Sequence, residues 1–135
     1  MKTKKKNDII TILKRELPKI LAIYLYGSHA TDSIHPNSDV DIAFLSEVKT
    51  DPVKRWNIQE LIAAKLDIDV DLVDLTEATT VLKKEIVEKG ILLYSADKNK
   101  TAQFEMTTFS MYMDLNESRK HILNDINEKY GRNSD

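Results

Sequence analysis

The chain has 135 residues, enough for one domain with a single core, and a net charge of −2 from 20 Lys and Arg against 22 Asp and Glu. This balance disfavours a function built on the phosphate backbone of nucleic acid, which calls for a basic surface. The absence of cysteine excludes disulfides, thiolate zinc sites and cysteine nucleophiles, and the three His residues lack a zinc-protease spacing. We therefore expect a cytoplasmic protein without direct nucleic-acid binding, whose chemistry rests on carboxylates and hydroxyls.

The amino-terminal segment predicts a helix rather than a signal peptide or a membrane span. Apolar residues recur at helical spacing from Ile9 to Leu17, and Pro18 ends the pattern. The longest uninterrupted apolar run, Ile20 to Tyr26, has seven residues. A bilayer span needs roughly 18–20. The lysines at positions 2 and 4–6 are expected to form a solvated, frayed tail ahead of the helix.

Strand and helix patterns alternate along the rest of the chain. The buried run over 20–26 predicts a strand, residues 29–38 are rich in turn formers, and residues 39–44 alternate in polarity like a second strand. Asp51-Pro52 predicts the start of a helix that ends near Lys65, because Asp caps helices and Pro suits the first helical position. The further predicted elements are a strand over 67–75, a helix from Thr76 or Thr79 to Gly90, a strand over 91–94 and a long helix or helix pair over 99–130.

This order of elements predicts an α/β fold, a small mixed β-sheet flanked by helices with a long C-terminal helix. We expect a single domain over 1–135, with an α/β core over about 7–96 and a C-terminal helical segment over about 99–130. A second, partly apolar face of that segment, with Met and Tyr, suggests a partner surface. The stripe expected to dock on the sheet contains Phe104, Thr108, Met111, Leu115, Ser118 and Ile122.

Acidic residues on two of the predicted strands are the first candidates for chemistry. Asp39 and Asp41 are two residues apart on one strand, so their side chains project to the same face. Their Cα atoms are expected about 6–7 Å apart. Two carboxylates this close repel each other unless a cation lies between them, and Mg²⁺ or Mn²⁺ is the natural occupant. Asp71, on the next strand, is the third candidate ligand. Asp69 shares the face of Asp71 and is expected at the rim, whereas Asp74 has the opposite parity and is expected to be structural or a cap.

A small-residue turn supplies the complementary half of the candidate site. Gly27-Ser28 follows the first buried strand, where a glycine lets the backbone approach a ligand and a serine hydroxyl holds phosphate oxygens. His29 comes next and is a further candidate contact to a phosphate or base. Carboxylates that bind metal opposite a turn that binds phosphate imply a nucleoside triphosphate. Tyr24 and Tyr26, on the strand before the turn, are expected in the core with their hydroxyls hydrogen-bonded.

These residues resemble a known motif. The segment YLYGSHATDSIHPNSDVDIAFL is similar to the G-S-x10-D-x-D motif of the DNA polymerase beta-like nucleotidyltransferases, and within that superfamily the chain resembles the minimal nucleotidyltransferase (MNT) antitoxins. The family's third carboxylate matches Asp71 in IDVDLVDL. The resemblance implies a nucleotidyltransferase fold and a metal-dependent transfer of AMP from ATP to a tyrosine of a cognate HEPN-type RNase toxin, with release of pyrophosphate.

The resemblance also implies roles for individual residues. Asp39, Asp41 and Asp71 would be the catalytic residues and the ligands of Mg²⁺ or Mn²⁺, and Asp71 would help to deprotonate the attacking hydroxyl. The nucleotide contacts would come from Gly27, Ser28, His29 and Ser38. The implied partners are ATP and the toxin, with no membrane involved.

Two other functions stay open at this point. A small-molecule nucleotidyltransferase of the antibiotic-modifying type would share the motif, although the chain offers no second helical domain for a drug pocket. An inactive nucleotidyltransferase fold would neutralise a toxin by binding alone. Thr31 and Asp32 favour that alternative, because many relatives carry Gly, often preceded by Arg, shortly after this turn. The intact Asp39, Asp41 and Asp71 argue against it.

Overall fold

A computed structural model describes residues 1–30 and 39–131 of the chain. The helices and strands alternate as the sequence predicts, and a short 3₁₀ turn, Gly27–Ala30, follows the first strand. Thr31, Asp32 and Ser38, which the sequence analysis singles out in the predicted loop, lie outside the described residues. The elements are α1 (Thr3–Glu16), β1 (Ile20–Tyr26), β2 (Val40–Ser46), α2 (Pro52–Leu66), β3 (Val70–Asp74), α3 (Thr80–Lys89), β4 (Ile91–Ser95) and α4 (Lys98–Gly131).

The four strands form one mixed sheet in the order β3-β2-β1-β4, which confirms the predicted α/β fold. β1 runs antiparallel to both of its neighbours, and β2 pairs with β3 in parallel. α2 supplies the crossover between these two parallel strands. Apolar residues on one face of the sheet pack with α1 and α2, and those on the other face pack with α3 and the first half of α4.

The first helix begins earlier than predicted. The lysines at 4–6 belong to α1, which starts at Thr3, so the expectation of a frayed tail is wrong. Lysine is a good helix former, and no proline or glycine precedes Pro18 to stop the helix from extending toward the amino terminus. α1 buries Ile9 and Leu13 against the sheet and ends at Leu17, just ahead of Pro18.

The predicted helix caps are present, with one difference at Gly90. The side chain of Asp51 accepts a hydrogen bond from the Val53 amide at 2.9 Å, and that of Thr79 accepts one from the Leu82 amide at 3.2 Å. Gly90 ends α3 with φ −76°, not in the left-handed conformation typical of a glycine C-cap. Its lack of a side chain allows close packing instead, since an added Cβ would overlap the Ile86 carbonyl oxygen of α3 and lie 3.2 Å from the Leu25 carbonyl oxygen of β1.

The third strand is shorter than its alternating pattern predicts. β3 starts at Val70, because Asp67 adopts a left-handed conformation with φ 54° and ends α2. The chain needs this tight reversal to bring β3 back alongside β2. Asp69 therefore precedes the strand, where its carbonyl accepts a hydrogen bond from the Val40 amide at 2.9 Å.

The C-terminal segment is one helix rather than a pair. α4 has 34 residues, which is about 50 Å of helix. Its first half docks on the sheet, with Thr101 and Thr108 buried and the Tyr24 hydroxyl donating to Glu105 at 2.7 Å. The predicted docking stripe is wrong at Met111, Ser118 and Ile122, which are exposed; Ser118 and Ile122 lie in the second half of the helix, which extends beyond the sheet.

The exposed part of α4 keeps an apolar character. Its exposed large apolar side chains are Met106, Met111, Met113, Ile122, Leu123 and Ile126. Use of this face as a partner surface stays a prediction. Within the described residues, no helix combines the length and the apolar composition that a membrane span requires.

Candidate active site

Carboxylates from neighbouring strands meet on one face of the sheet. Asp41 on β2 pairs with Asp71 on β3 on one side and with Tyr26, the last residue of β1, on the other. Because paired residues of adjacent strands project to the same face, the three side chains form one row across the sheet. Asp39 comes two residues before Asp41, directly ahead of β2, and is exposed. The fold therefore places the three predicted carboxylates in one region.

The electrostatics of this row agree with its geometry. Burial, followed by the charges of Asp71 and Asp39, raises the pKa of the Asp41 carboxyl above its usual value, while His29 lowers it. Burial and the charges of Asp41 and Asp71 raise the pKa of Tyr26 to about 12, so its hydroxyl keeps its proton at neutral pH. Among the described residues, the neighbouring carboxylates thus give this region a negative charge that a cation would stabilise.

The turn after β1 lies directly against Asp41. Gly27 has φ 70°, and a Cβ added there would overlap the Asp41 carboxylate and lie 3.2 Å from its Cγ. A side chain at this position would therefore face both an unfavourable backbone conformation and a steric clash. Ser28 and His29 follow in the same 3₁₀ turn. The fold thus brings three of the predicted nucleotide contacts beside the carboxylates.

The donor chemistry of this region fits a hard divalent cation. Carboxylates are the ligands that Mg²⁺ and Mn²⁺ prefer, and the pKa of Asp41 is raised first by its burial and then by the charges of Asp71 and Asp39. Within residues 1–30 and 39–131, no three His, Asp or Glu side chains come together closely enough to hold an ion by themselves. Mg²⁺ usually binds one or two carboxylates together with substrate phosphates and water. The site therefore fits a metal ion that is completed by a nucleotide.

The other acidic candidates take the positions expected from their parity. Asp74 is buried and its Oδ1 accepts hydrogen bonds from the amide of Thr76 at 3.0 Å and from its hydroxyl at 2.8 Å, which confirms a structural role in the turn after β3, while the cap of α3 is Thr79. Asp69 is exposed and lies ahead of β3. Of the two core tyrosines, Tyr24 is buried with its hydroxyl bonded to Glu105, as predicted. Tyr26 is only half-buried and belongs to the carboxylate row, which sequence reasoning missed.

The structure also has a groove beside Asp71 that the sequence did not predict. It has a volume of about 610 Å³ and runs from Asp71 along the free side of β3, between the amino-terminal ends of α2 and α3. Arg55 lines it and donates to the Leu72 carbonyl at 2.9 Å, while Gln59 accepts from the Leu72 amide at 2.9 Å. Arg55 and Gln59 lie one helical turn apart on α2, a spacing that is equally typical of a solvent-exposed face, so the sequence carried no specific signal for the groove.

With the geometry established, comparison with known proteins gives the family. Residues 7–99 match the protein family described as polymerase beta, nucleotidyltransferase. The chain belongs to the polymerase beta nucleotidyltransferase family. The matched region contains β1, the Gly27 turn, the aspartates on β2 and β3, and the rest of the sheet, so every predicted site residue of this nucleotidyltransferase falls within it.

Individual relatives match almost the whole chain. This nucleotidyltransferase is 40% identical over 120 residues to the protein adenylyltransferase MntA of Shewanella oneidensis, covering 89% of this chain and 86% of the relative. A crystal structure of a toxin–antitoxin with AMP-PNP superposes with a TM-score of 0.82 at 40% identity, covering 90% of this chain and 97% of that one. A re-refined structure of a tri-AMPylated Shewanella oneidensis HEPN toxin with its MNT antitoxin gives a TM-score of 0.79 at 36% identity, covering 93% and 98%.

Proposed function

We propose that this chain is a protein adenylyltransferase that transfers AMP from ATP to a tyrosine hydroxyl of a cognate HEPN-type RNase toxin, and thereby acts as its antitoxin. The observation that carries the proposal is the 40% identity to protein adenylyltransferase MntA over 89% of the chain. It is supported by similarity to complexes described as containing AMP-PNP or a tri-AMPylated HEPN toxin. The whole chain, 1–135, would then act as one nucleotidyltransferase unit.

The proposed roles follow from the row of side chains across β2 and β3. Asp39, Asp41 and Asp71 would bind Mg²⁺ or Mn²⁺ at the triphosphate, where the ion supplies charge neutralisation in the transition state. The register pair Asp41–Asp71 and the raised pKa of Asp41 support this assignment. Asp71 is the member of the set farthest from the Gly27 turn, since β2 separates β1 from β3. We therefore propose that Asp71 contacts the acceptor hydroxyl.

The nucleotide would lie over the turn at the end of β1. The absence of a side chain at Gly27 leaves its backbone against Asp41, so phosphate oxygens can approach both. We assign the phosphate contacts to Gly27 and Ser28, with His29 and Ser38 as further nucleotide contacts. His29 offsets part of the negative charge around Asp41, which suits a position near phosphate.

The reaction is an in-line phosphoryl transfer. The phenolic oxygen of the acceptor forms a bond to the α-phosphorus of ATP, the bond from that phosphorus to the β-phosphate bridging oxygen breaks, and pyrophosphate leaves. The phenolic proton passes to the Asp71 carboxylate. The residues of this chain thus position two substrates and accept a proton, while the transferred group comes entirely from ATP.

The test is the intact mass of the HEPN-type protein encoded beside this one, after incubation with the chain and Mg-ATP. We expect an increase of one or more AMP units with the wild type, and none with Asp39→Asn/Asp41→Asn. The matched control is Asp8→Asn/Asp67→Asn, which removes two carboxylates away from the row and should leave transfer unchanged. Asn is well tolerated in the left-handed conformation of Asp67.

Different failures would point to different functions. In one outcome, the Asp39→Asn/Asp41→Asn variant neutralises the toxin as well as the wild type does, and even the wild type adds no mass to the toxin. That result would overturn the enzymatic proposal in favour of an antitoxin that acts by binding. Two proteins that neither bind nor react would overturn the antitoxin role and favour a small-molecule nucleotidyltransferase.

A further inference from the structure

The groove beside Asp71 is continuous with the proposed reaction centre. Asp71 forms one of its ends, and the groove extends from there along β3 toward α3. Its volume of about 610 Å³ lies in the range of pockets that bind small molecules, and an aromatic side chain is smaller than such a ligand. A ligand in this groove can therefore reach the carboxylate of Asp71.

The lining of the groove combines an apolar floor with charged walls. Val73 and Leu82 belong to the apolar cluster between the sheet and α3, and both reach the groove. Lys49 and Glu77 are exposed on its walls and form an ion pair of 4.0 Å. An apolar floor that ends at a carboxylate suits an aromatic ring with a polar tip. The charged walls suit the backbone and side chains that flank such a ring.

The free edge of β3 is closed to strand addition at its centre. The Leu72 amide and carbonyl, which point away from β2, are occupied by Gln59 and Arg55 of α2. An incoming segment therefore cannot pair with β3 there by main-chain hydrogen bonds, as an added strand would. At Leu72, a ligand in the groove would therefore be held by contacts other than strand pairing.

We propose that this groove binds the tyrosine-bearing segment of the acceptor protein, with the phenol ring on Val73 and Leu82 and the phenolic oxygen at Asp71. This inference rests on the proposed function and specifies its acceptor site. The phenolic oxygen forms the new bond to the α-phosphorus, its proton passes to Asp71, and pyrophosphate leaves on the opposite side.

The strand order separates the two substrates. Gly27 ends β1 and the groove lies beyond β3, with β2 between them. At the usual strand spacing, that is roughly 10 Å between the nucleotide turn and the third strand. The nucleotide therefore occupies the β1–β2 side and the acceptor enters from the β3 side, so that the two meet over Asp41 and Asp71.

The test is Leu82→Arg, which fills the groove floor with a long charged side chain. We expect KM for the toxin to rise about ten-fold or more, as is typical when an apolar pocket loses its fit, while the Kd for AMP-PNP stays within two-fold of wild type. The matched control is Leu61→Arg. Leu61 lines a different groove, of about 510 Å³ between α1 and α2, so both constants should be unchanged.

A second variant guards against misfolding of the first. Lys49→Glu changes only an exposed wall of the groove and breaks its ion pair with Glu77, so the fold should be retained and KM for the toxin should still change by a few-fold. Weaker AMP-PNP binding by Leu82→Arg with an unchanged KM for the toxin would assign the groove to the nucleotide and overturn the inference. Wild-type values of KM and Kd in both variants would also overturn it. Wild-type protein that transfers no AMP would overturn the proposed function itself.

Discussion

Replacing Gly27 by Ala tests how tightly the phosphate turn and the carboxylate row depend on each other. Gly27 has φ 70°, where an L-residue costs about 1–2 kcal/mol. The new Cβ would also overlap the Asp41 carboxylate, and such overpacking costs about 1–3 kcal/mol. Together these terms predict a loss of roughly 2–5 kcal/mol in the free energy of unfolding.

The same substitution should damage catalysis beyond its effect on stability. The Asp41 side chain must move away from the new methyl group, which disturbs the carboxylate that pairs with Asp71. Disturbing the residues that orient a metal-binding side chain commonly costs about 10–100-fold in activity, and we expect a loss of that size in kcat/KM for AMP transfer. The assay is intact-mass detection of AMP on the toxin at a temperature where the variant is folded.

A control separates the two effects. Ile62→Ala removes a buried side chain of α2 on the opposite face of the sheet, for a comparable loss of about 2–5 kcal/mol. We expect this variant to keep nearly wild-type transfer when folded. If Ile62→Ala loses as much transfer as Gly27→Ala, lowered stability explains the effect. If Gly27→Ala transfers AMP at the wild-type rate, the proposed contact between turn and carboxylate is not needed.

Three further predictions concern stability. Tyr24→Phe removes the hydrogen bond to Glu105 that ties β1 to α4, and urea unfolding should show a loss of about 1.5–3 kcal/mol. Because burial and Glu105 raise the pKa of Tyr24 in the folded protein, the unfolded chain loses this proton first above about pH 10, so stability should fall as pH rises past that value. That fall should be shallower in Tyr24→Phe, and equal slopes would contradict the assignment. Thr50 has a buried hydroxyl without a hydrogen-bond partner among the described residues, so Thr50→Val should raise the free energy of unfolding by about 1 kcal/mol. A lower melting temperature of the variant in thermal unfolding would refute this. Asp51→Ala should cost about 1 kcal/mol through the lost helix cap, whereas Asp51→Asn should cost little.

Much of the fold was predictable because its signals are local. The seven-residue apolar run gave β1 with its bounds, and the caps at Asp51 and Thr79 marked the starts of α2 and α3. Errors arose where a local pattern was overridden by the path of the chain. The alternation over 67–75 continues through Asp67, yet that residue must reverse the chain after α2, so the strand begins only at Val70.

The motif residues themselves were predictable in the same way. The spacing of Gly27, Asp39 and Asp41 along the chain indicated both halves of a nucleotide site. The pairing of Asp41 with Asp71 was not predictable in this way, because it depends on the register between two strands that are separated by a helix in the sequence. Burial of the apolar faces of β2 and β3 fixes that register, and a shift of one residue would turn Asp71 to the opposite face of the sheet.

The sequence by itself determined which residues are the candidates for the chemistry, since short-range spacing and parity decide which side chains share a strand face. Only the tertiary structure decided what surrounds them. The crossover through α2 brings Asp71 beside Asp41, the backbone of Gly27 packs on Asp41, and a groove opens between α2 and α3. These features join segments far apart in sequence, and their geometry follows from how the helices pack on the two faces of one twisted sheet.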